Sequence, residues 1–381
     1  MIHYLDNAAT TRVRPGALEA MLPLFTETFG NPSGAHRMAR QANHVLDDAR
    51  DAMAAALGAE PGQVVFTGGG TEADALAIRG VIDAVGGTAV TTAIEHHAVL
   101  DPITHLGGRI VAVGADGRID LDALERALDP SVSIVSIMLA NNETGIIQPL
   151  DEAVAVVRRA APEAVVHTDA VQALCWVDVA AAAADADLIS VSAHKFGGPK
   201  GTGALVVRDR VRLEPLLRGG GQERDRRGGT QNVAGIAGMA AAATETVAER
   251  GEAVARVAAL RDRLVAGIAA EVDGVIESGI TGVPGASRTA KTANIAHLCF
   301  EGIESEALLF LLEKNDIMAS AASSCASGAQ EASHVLAAMG VSRDLAYGSL
   351  RLSLGYESTE TDVDAVLTVL PDAVTQLRAH R

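Results

Sequence analysis

Apolar and polar positions along this chain follow two rhythms. From 64 to about 207, short apolar runs alternate with stretches of helical period. The runs 64–66, 89–93, 110–113, 133–139, 164–167 and 188–191 read as strands. Positions 71–85 have helical spacing, and helical segments separate most of the other runs. Strands alternating with helices make βαβ units, so the expected core is an α/β layer around a mostly parallel sheet. Ligands of such sheets bind beyond the carboxyl ends of the strands. After 207 the rhythm changes. An Ala-rich stretch, 233–271, reads as one long connecting helix in which Gly251 offers a break. Then 292–300 and 349–354 read as strands, and 305–312 and 360–379 as helices. This second part predicts a smaller α+β domain. The expected division is a large domain over 16–250 and a small one built from 1–15 and 251–381. There is no internal repeat and no low-complexity tail.

Composition narrows the class. The 381 residues are 48% hydrophobic but only 3% aromatic, so the core must be built from Ala, Val, Leu and Ile. A formal net charge of −17 argues against nucleic acid or an anionic membrane as the main partner. No run is long and apolar enough to span a bilayer, and the first residues carry no signal-peptide pattern. The cysteines, Cys175, Cys299 and Cys325, show no CxxC spacing and no disulfide framework. A reducing, cytoplasmic setting is expected, with no metal site.

Five strand ends carry groups with chemical potential. Ser192-Ala193-His194-Lys195-Phe196-Gly197-Gly198 follows the run 188–191. A lysine there is either a solvated loop residue or a desolvated amine suited to Schiff-base chemistry. Phe66-Thr67-Gly68-Gly69-Gly70-Thr71-Glu72 is a strand, a glycine loop and a helix start. It serves either as an ordinary turn or as a phosphate site, with Thr71 offering a helix cap and a hydroxyl. Asp169, after 164–167, is a cap or a partner for a protonated ring nitrogen. Glu95-His96-His97 and Asn141-Asn142-Glu143-Thr144-Gly145 complete the set; the first offers an imidazole for stacking, the second an ordinary turn. Phosphate donors, an amine, a ring-nitrogen partner and a stacking ring at the same kind of strand end together specify pyridoxal 5′-phosphate.

The chain resembles the NifS-like (IscS-like) cysteine desulfurases, in the class V aminotransferase group of pyridoxal-phosphate fold-type I enzymes. The resemblance rests on Tyr4-Leu5-Asp6-Asn7-Ala8-Ala9-Thr10-Thr11, Gly30-Asn31-Pro32-Ser33, the motifs just quoted, His167-Thr168-Asp169-Ala170-Val171-Gln172, Gly219-Gly220-Gly221-Gln222-Glu223-Arg224, Gly229-Thr230 and Arg351-Leu352-Ser353-Leu354-Gly355. It implies a large domain with a mainly parallel seven-stranded sheet flanked by helices. It implies Lys195 as the Schiff-base lysine, Asp169 at the ring nitrogen, Gln172 at the ring hydroxyl and His96 stacked on the ring. Gly70, Thr71, Ser192 and His194 match phosphate contacts, and Thr230 one supplied to the neighbouring subunit of a homodimer. Asn142 matches an amide near the cofactor, and Asn31 and Arg351 match groups binding the substrate carboxylate.

The resemblance also implies that Cys325, within small residues and ahead of Ser333-His334-Val335-Leu336, accepts sulfur from L-cysteine. The products are L-alanine and a persulfide, passed to a protein acceptor for iron–sulfur cluster assembly or for thiolation of cofactors or tRNA. His96 is expected to take the thiol proton, on motif position. Cys299 and Cys175 read as core residues. Gly70 stands where the family more often has Ala. The rival readings are a selenocysteine lyase or another class V aminotransferase and, from a different class, a non-catalytic cofactor-binding sulfur-relay protein.

Overall fold

The computed structural model describes residues 1–321 and 333–379. The expected run of strands forms one seven-stranded sheet, in the spatial order Val64–Thr67, Gly203–Val207, Leu188–Ser192, Val165–Asp169, Val132–Ser136, Thr88–Thr92, Arg109–Val111. Gly203–Val207 runs antiparallel to both its neighbours; every other pairing is parallel. The central strands are buried along their whole length, which is why they read as unbroken apolar runs. Helices cover both faces. Gly70–Val85 packs one face through Ala73, Leu76, Ala77 and Val81, while Arg37–Leu57 and the first half of Val233–Glu271 pack the other.

Strand ends differ from the sequence reading by one to three residues. The run 133–139 stops as a strand at Ser136. The chain continues extended, with Ile137 N–H donating to the His167 carbonyl and Leu139 N–H to that of Asp169, but without a reciprocal ladder. The helix expected from 71 begins at Gly70. Its N-cap is Gly69, at φ 152°, a backbone region that favours glycine, so Thr71 lies in the first turn and is not the cap. Val233–Glu271 is unbroken at Gly251, where a Cβ would meet nothing within 4 Å and the helix is held by packing on either side.

A second core lies around a three-stranded antiparallel sheet, Ser349–Ser353, Ile295–Phe300, Val275–Glu277, covered by Ser305–Glu313 and Glu360–Ala379. The long helix serves both cores. Residues up to Ala243 lie in the first, and Val257, Leu260, Leu264 and Ile268 in the second. The N-terminal His3–Tyr4 pairs with Ile317–Met318, and Leu5 is buried with the second core.

One loop is tied down with unusual force. Glu223, at φ 48°, receives both Arg50 guanidinium nitrogens (2.8 and 2.9 Å) and the Phe66 N–H (2.9 Å), all buried. Arg227 pairs with Glu72 at 2.8 Å, and Glu72 accepts from Gly68 N–H at 2.7 Å. The segment carrying Gly228-Gly229-Thr230 is thereby anchored to the strand and helix around the glycine loop.

Candidate active site

A cavity of about 350 Å³ opens beyond the carboxyl ends of the central strands, within the size range of small-ligand sites. Lys195 reaches it from the short 3₁₀ turn Ala193–Lys195, after Leu188–Ser192. Asp169 ends the adjacent parallel strand and lines the same cavity. Gly70 and Thr71, at the helix start, line it together with Ser192 and His194. His96, Asn142, Gln172 and Arg351 complete the expected set. The fold thus gathers residues far apart in sequence at one sheet edge.

Asn31 and Thr230 do not line this cavity; both are exposed in the single protomer. Asn31 instead accepts the Ser33 N–H at 3.0 Å. Cys325 lies outside the described residues. A larger cavity of about 550 Å³, near Tyr4, Arg12 and Tyr356, contains none of the expected groups.

The electrostatics are set mainly by burial. Lys195 Nζ donates to the Ala8 and Ala9 carbonyls at 2.5 and 2.9 Å; burial, with the nearby Arg351 guanidinium, lowers its pKa to about 8. A fair share of the amine is therefore neutral near physiological pH, as a nucleophilic lysine requires. Burial raises Asp169 to about 6, opposed by the Val171 N–H it accepts at 2.8 Å. A cation beside it would restore full ionisation. Gln172 is held by its bond to the Ala8 carbonyl, at 2.7 Å.

His96 caps the helix His97–His105, with Nδ1 accepting the Ala98 N–H at 3.1 Å. Burial and the neighbouring Lys195 lower its pKa to about 4, so the ring is neutral and its proton sits on Nε2. In this arrangement the ring offers a proton. To take one from a thiol, it must first release Ala98. Arg351 stands on the second sheet, in Ser349–Ser353. It reaches over to the Asn142 carbonyl and the Asp6 carboxylate, each at 2.8 Å, leaving Nε without a partner among the described residues.

Three carboxylates in or beside the site were given no role by the sequence reading. Asp74 lines the cavity on the buried face of Gly70–Val85, and burial holds it well above the usual carboxylate range. A carboxylate among Ala73, Ala77 and Val81 was its sequence signal. Glu95 is fully buried and pushed up to about 8; its Oε1 accepts from Met138 N–H and the Thr92 hydroxyl, both at 2.8 Å. Asp6 is the Arg351 partner.

These residues fit pyridoxal phosphate on structural grounds. The free N–H groups of a helix start face the cavity beside the Ser192 and His194 side chains, a donor set for a phosphate. A Cβ on Gly70 would come within 2.8 Å of Val171 and 3.3 Å of Ser192, so the bare glycine keeps that end open. A buried carboxylate with one backbone donor, and a depressed lysine, stand apart from it. Among the described residues no group of three His, Cys, Asp or Glu side chains is arranged to hold a metal ion.

Fold and site together define a pyridoxal-phosphate-dependent enzyme of the fold-type I class. Residues 3–366 match the family model described as aminotransferase class-V, and the chain belongs to that family. It is 46% identical to a cysteine desulfurase of Gluconacetobacter diazotrophicus, over 98% of this chain and 94% of the relative. It is 45% identical to an IscS-like cysteine desulfurase of Mycobacterium tuberculosis, over 98% and 97%. A solved NifS-like protein superposes with a TM-score of 0.90 at 35% identity, covering 99% of this chain and all of the other.

Proposed function

We infer that this chain is a pyridoxal-phosphate-dependent cysteine desulfurase, which removes sulfur from L-cysteine and leaves L-alanine. The observation that carries the reading is the meeting of Lys195 and Asp169, on adjacent strand ends, with Arg351 from the second sheet in one cavity. A planar guanidinium suits bidentate capture of an amino-acid carboxylate. Gly70, Thr71, Ser192 and His194 would hold the cofactor phosphate, Asp169 the ring nitrogen, Gln172 the ring hydroxyl, and His96 the ring face. Bound there, the cofactor supplies an electron sink for the pair released at the substrate Cα.

The chain's own residues do the rest. Arg351 orients the substrate carboxylate, with Asn142 beside it, and Asn31 contributes from outside the cavity. Lys195, with its amine poised near pH 8, carries the Cα proton. Cys325 attacks the substrate sulfur as a thiolate. A sulfur–sulfur bond forms, the carbon–sulfur bond breaks, and the former Cβ takes up a proton to become the methyl of alanine. Cys175 and Cys299 are poor candidates for that attack, because burial pushes their thiols up to about 12 and about 11.

The finer reading has four parts. Residues 16–250 form the large domain, and 1–15 with 251–381 the small one, a division supported by the two cores. The enzyme works as a homodimer in which Thr230 completes the partner's phosphate site, supported by its exposure at the end of an anchored loop. The persulfide passes to a protein acceptor. The setting is cytoplasmic; no helix among the described residues is long and apolar enough to cross a membrane.

The test is Cys325→Ser. With cysteine supplied, the wild type should form alanine and a persulfide on Cys325 in equal amounts. The variant should still bind cofactor and cysteine but lose at least about a hundredfold in alanine formation. Normal alanine output from Cys325→Ser would overturn the assignment.

A further inference from the structure

Arg351 is held from behind by a carboxylate that the proposed chemistry leaves without a role. A guanidinium carries five N–H donors. Nη1 donates to the Asn142 carbonyl and Nη2 to Asp6 Oδ1, both at 2.8 Å, while Nε has no partner among the described residues. The Arg351 side chain is 5% exposed and that of Asp6 23%. Arg351 lines the cavity and Asp6 does not. The carboxylate therefore backs the guanidinium and does not take the substrate's place.

Asp6 is fixed by the strand that carries its partner. Ser353 lies two residues after Arg351, on the same face of Ser349–Ser353, and the N-terminal segment wraps it. The Ser353 N–H donates to the Leu5 carbonyl at 2.7 Å, and its carbonyl accepts the Asn7 N–H at 3.1 Å. Its hydroxyl accepts the Ala8 N–H at 2.9 Å. The segment then crosses to the other side of the site, where the Ala8 carbonyl accepts from both Lys195 Nζ and Gln172 Nε2. Residues 5–8 thus bridge the two halves of the site. They set one negative charge against the cation proposed for the substrate carboxylate.

We propose that Asp6 is a positioning residue that sets the grip of Arg351 on the α-carboxylate, aiming the guanidinium through Nη2 and offsetting part of its charge. The inference rests on the reading of Arg351 as the carboxylate-binding group. Substrate and product carry the same carboxylate. A buried guanidinium with no counter-charge would hold L-cysteine and L-alanine alike, which slows release without speeding the reaction. Asp6 repels the carboxylate that Arg351 attracts, and so loosens that hold. The Lys195 amine also feels Asp6, but that effect acts on any amine ligand, with or without a carboxylate.

The experiment uses the full-length enzyme loaded with pyridoxal phosphate. It is titrated with L-alanine and, separately, with ethylamine, which is alanine without the carboxylate. Cofactor absorbance reports both affinities for wild type, Asp6→Asn, Asp6→Ala and Arg351→Gln. Asp6→Asn keeps an oxygen acceptor for Nη2 and loses the charge. It should bind L-alanine about tenfold more tightly than wild type, with ethylamine affinity changed less than about twofold. Asp6→Ala loses the aim as well and should fall between the two, about threefold tighter than wild type. The ethylamine response shows that each variant has folded with its site formed. L-alanine held no more tightly by either Asp6 variant than by wild type would overturn the proposal. Equal tightening for both ligands would do the same, as would Asp6→Ala matching Asp6→Asn. Arg351→Gln should bind L-alanine at least about a hundredfold more weakly. If it binds as wild type does, the carboxylate assignment fails and this inference with it. A wild type that forms no alanine from cysteine fails the desulfurase reading alone, because the ratio of L-alanine to ethylamine affinity still reports on Asp6 and Arg351.

Discussion

Lys195, Asp169 and His96 were legible because each ends a short apolar run, where a polar side chain has few structural reasons to be. Their charge states were not legible, since these come from burial and from neighbours that only the fold supplies. Lys195 gives a direct check. In cofactor-free enzyme its acylation by an amine reagent should rise with pH through about 8, well below the ordinary lysine midpoint near 10.4. A midpoint near 10 by peptide mass mapping would show the amine is not desolvated. Glu95 gives a second. Its folded pKa, about 8, is raised above the unfolded value, so its contribution to stability is full below about 4.5 and is lost as pH rises through about 8. Glu95→Gln keeps the acceptor for Met138 and Thr92 but has no proton to lose. In urea melts it should match wild type within about 1 kcal/mol at pH 5 and gain on it steadily up to pH 8.

At the scale of elements, the strands of the main sheet were readable from apolar runs bounded by glycine and polar residues. Their ends were less so, because 137–139 stays extended after the reciprocal ladder stops. The short strands Val275–Glu277 and Ile317–Met318 carry too few residues to show a period. The helix Arg37–Leu57 has its signals in His36, which accepts from Ala39 N–H, and in Gly58 at φ 61°. The anchored loop was visible as a motif, but nothing in Gly221-Gln222-Glu223-Arg224 announces that Glu223 will meet Arg50. Removing one partner of a buried pair strands the other's charge. Glu223→Ala should therefore cost about 3–5 kcal/mol in denaturant melts, and Glu223→Gln, which keeps an acceptor for Phe66, less. A loss below 1 kcal/mol would mean the pair is not buried in solution.

For the whole molecule, the alternation of runs gave the α/β class, and the spaced motifs gave the family. In one protomer Thr230 is exposed. Sedimentation at micromolar concentration should show a dimer. Thr230→Ala should weaken cofactor retention after gel filtration, by about three- to tenfold. A fully active monomer would remove Thr230 from the site.

The unbroken helix Val233–Glu271 passes through both cores, and its 39 residues make a rod of about 58 Å. Melting either core exposes one half of that rod, and the exposed half, stripped of its packing, frays toward the half that the other core holds. The two bodies of this enzyme are therefore bound to a common fate. Heat should register them as one cooperative event, and damage to the small sheet should be felt, through the rod, at the strand ends where Lys195 and Asp169 meet.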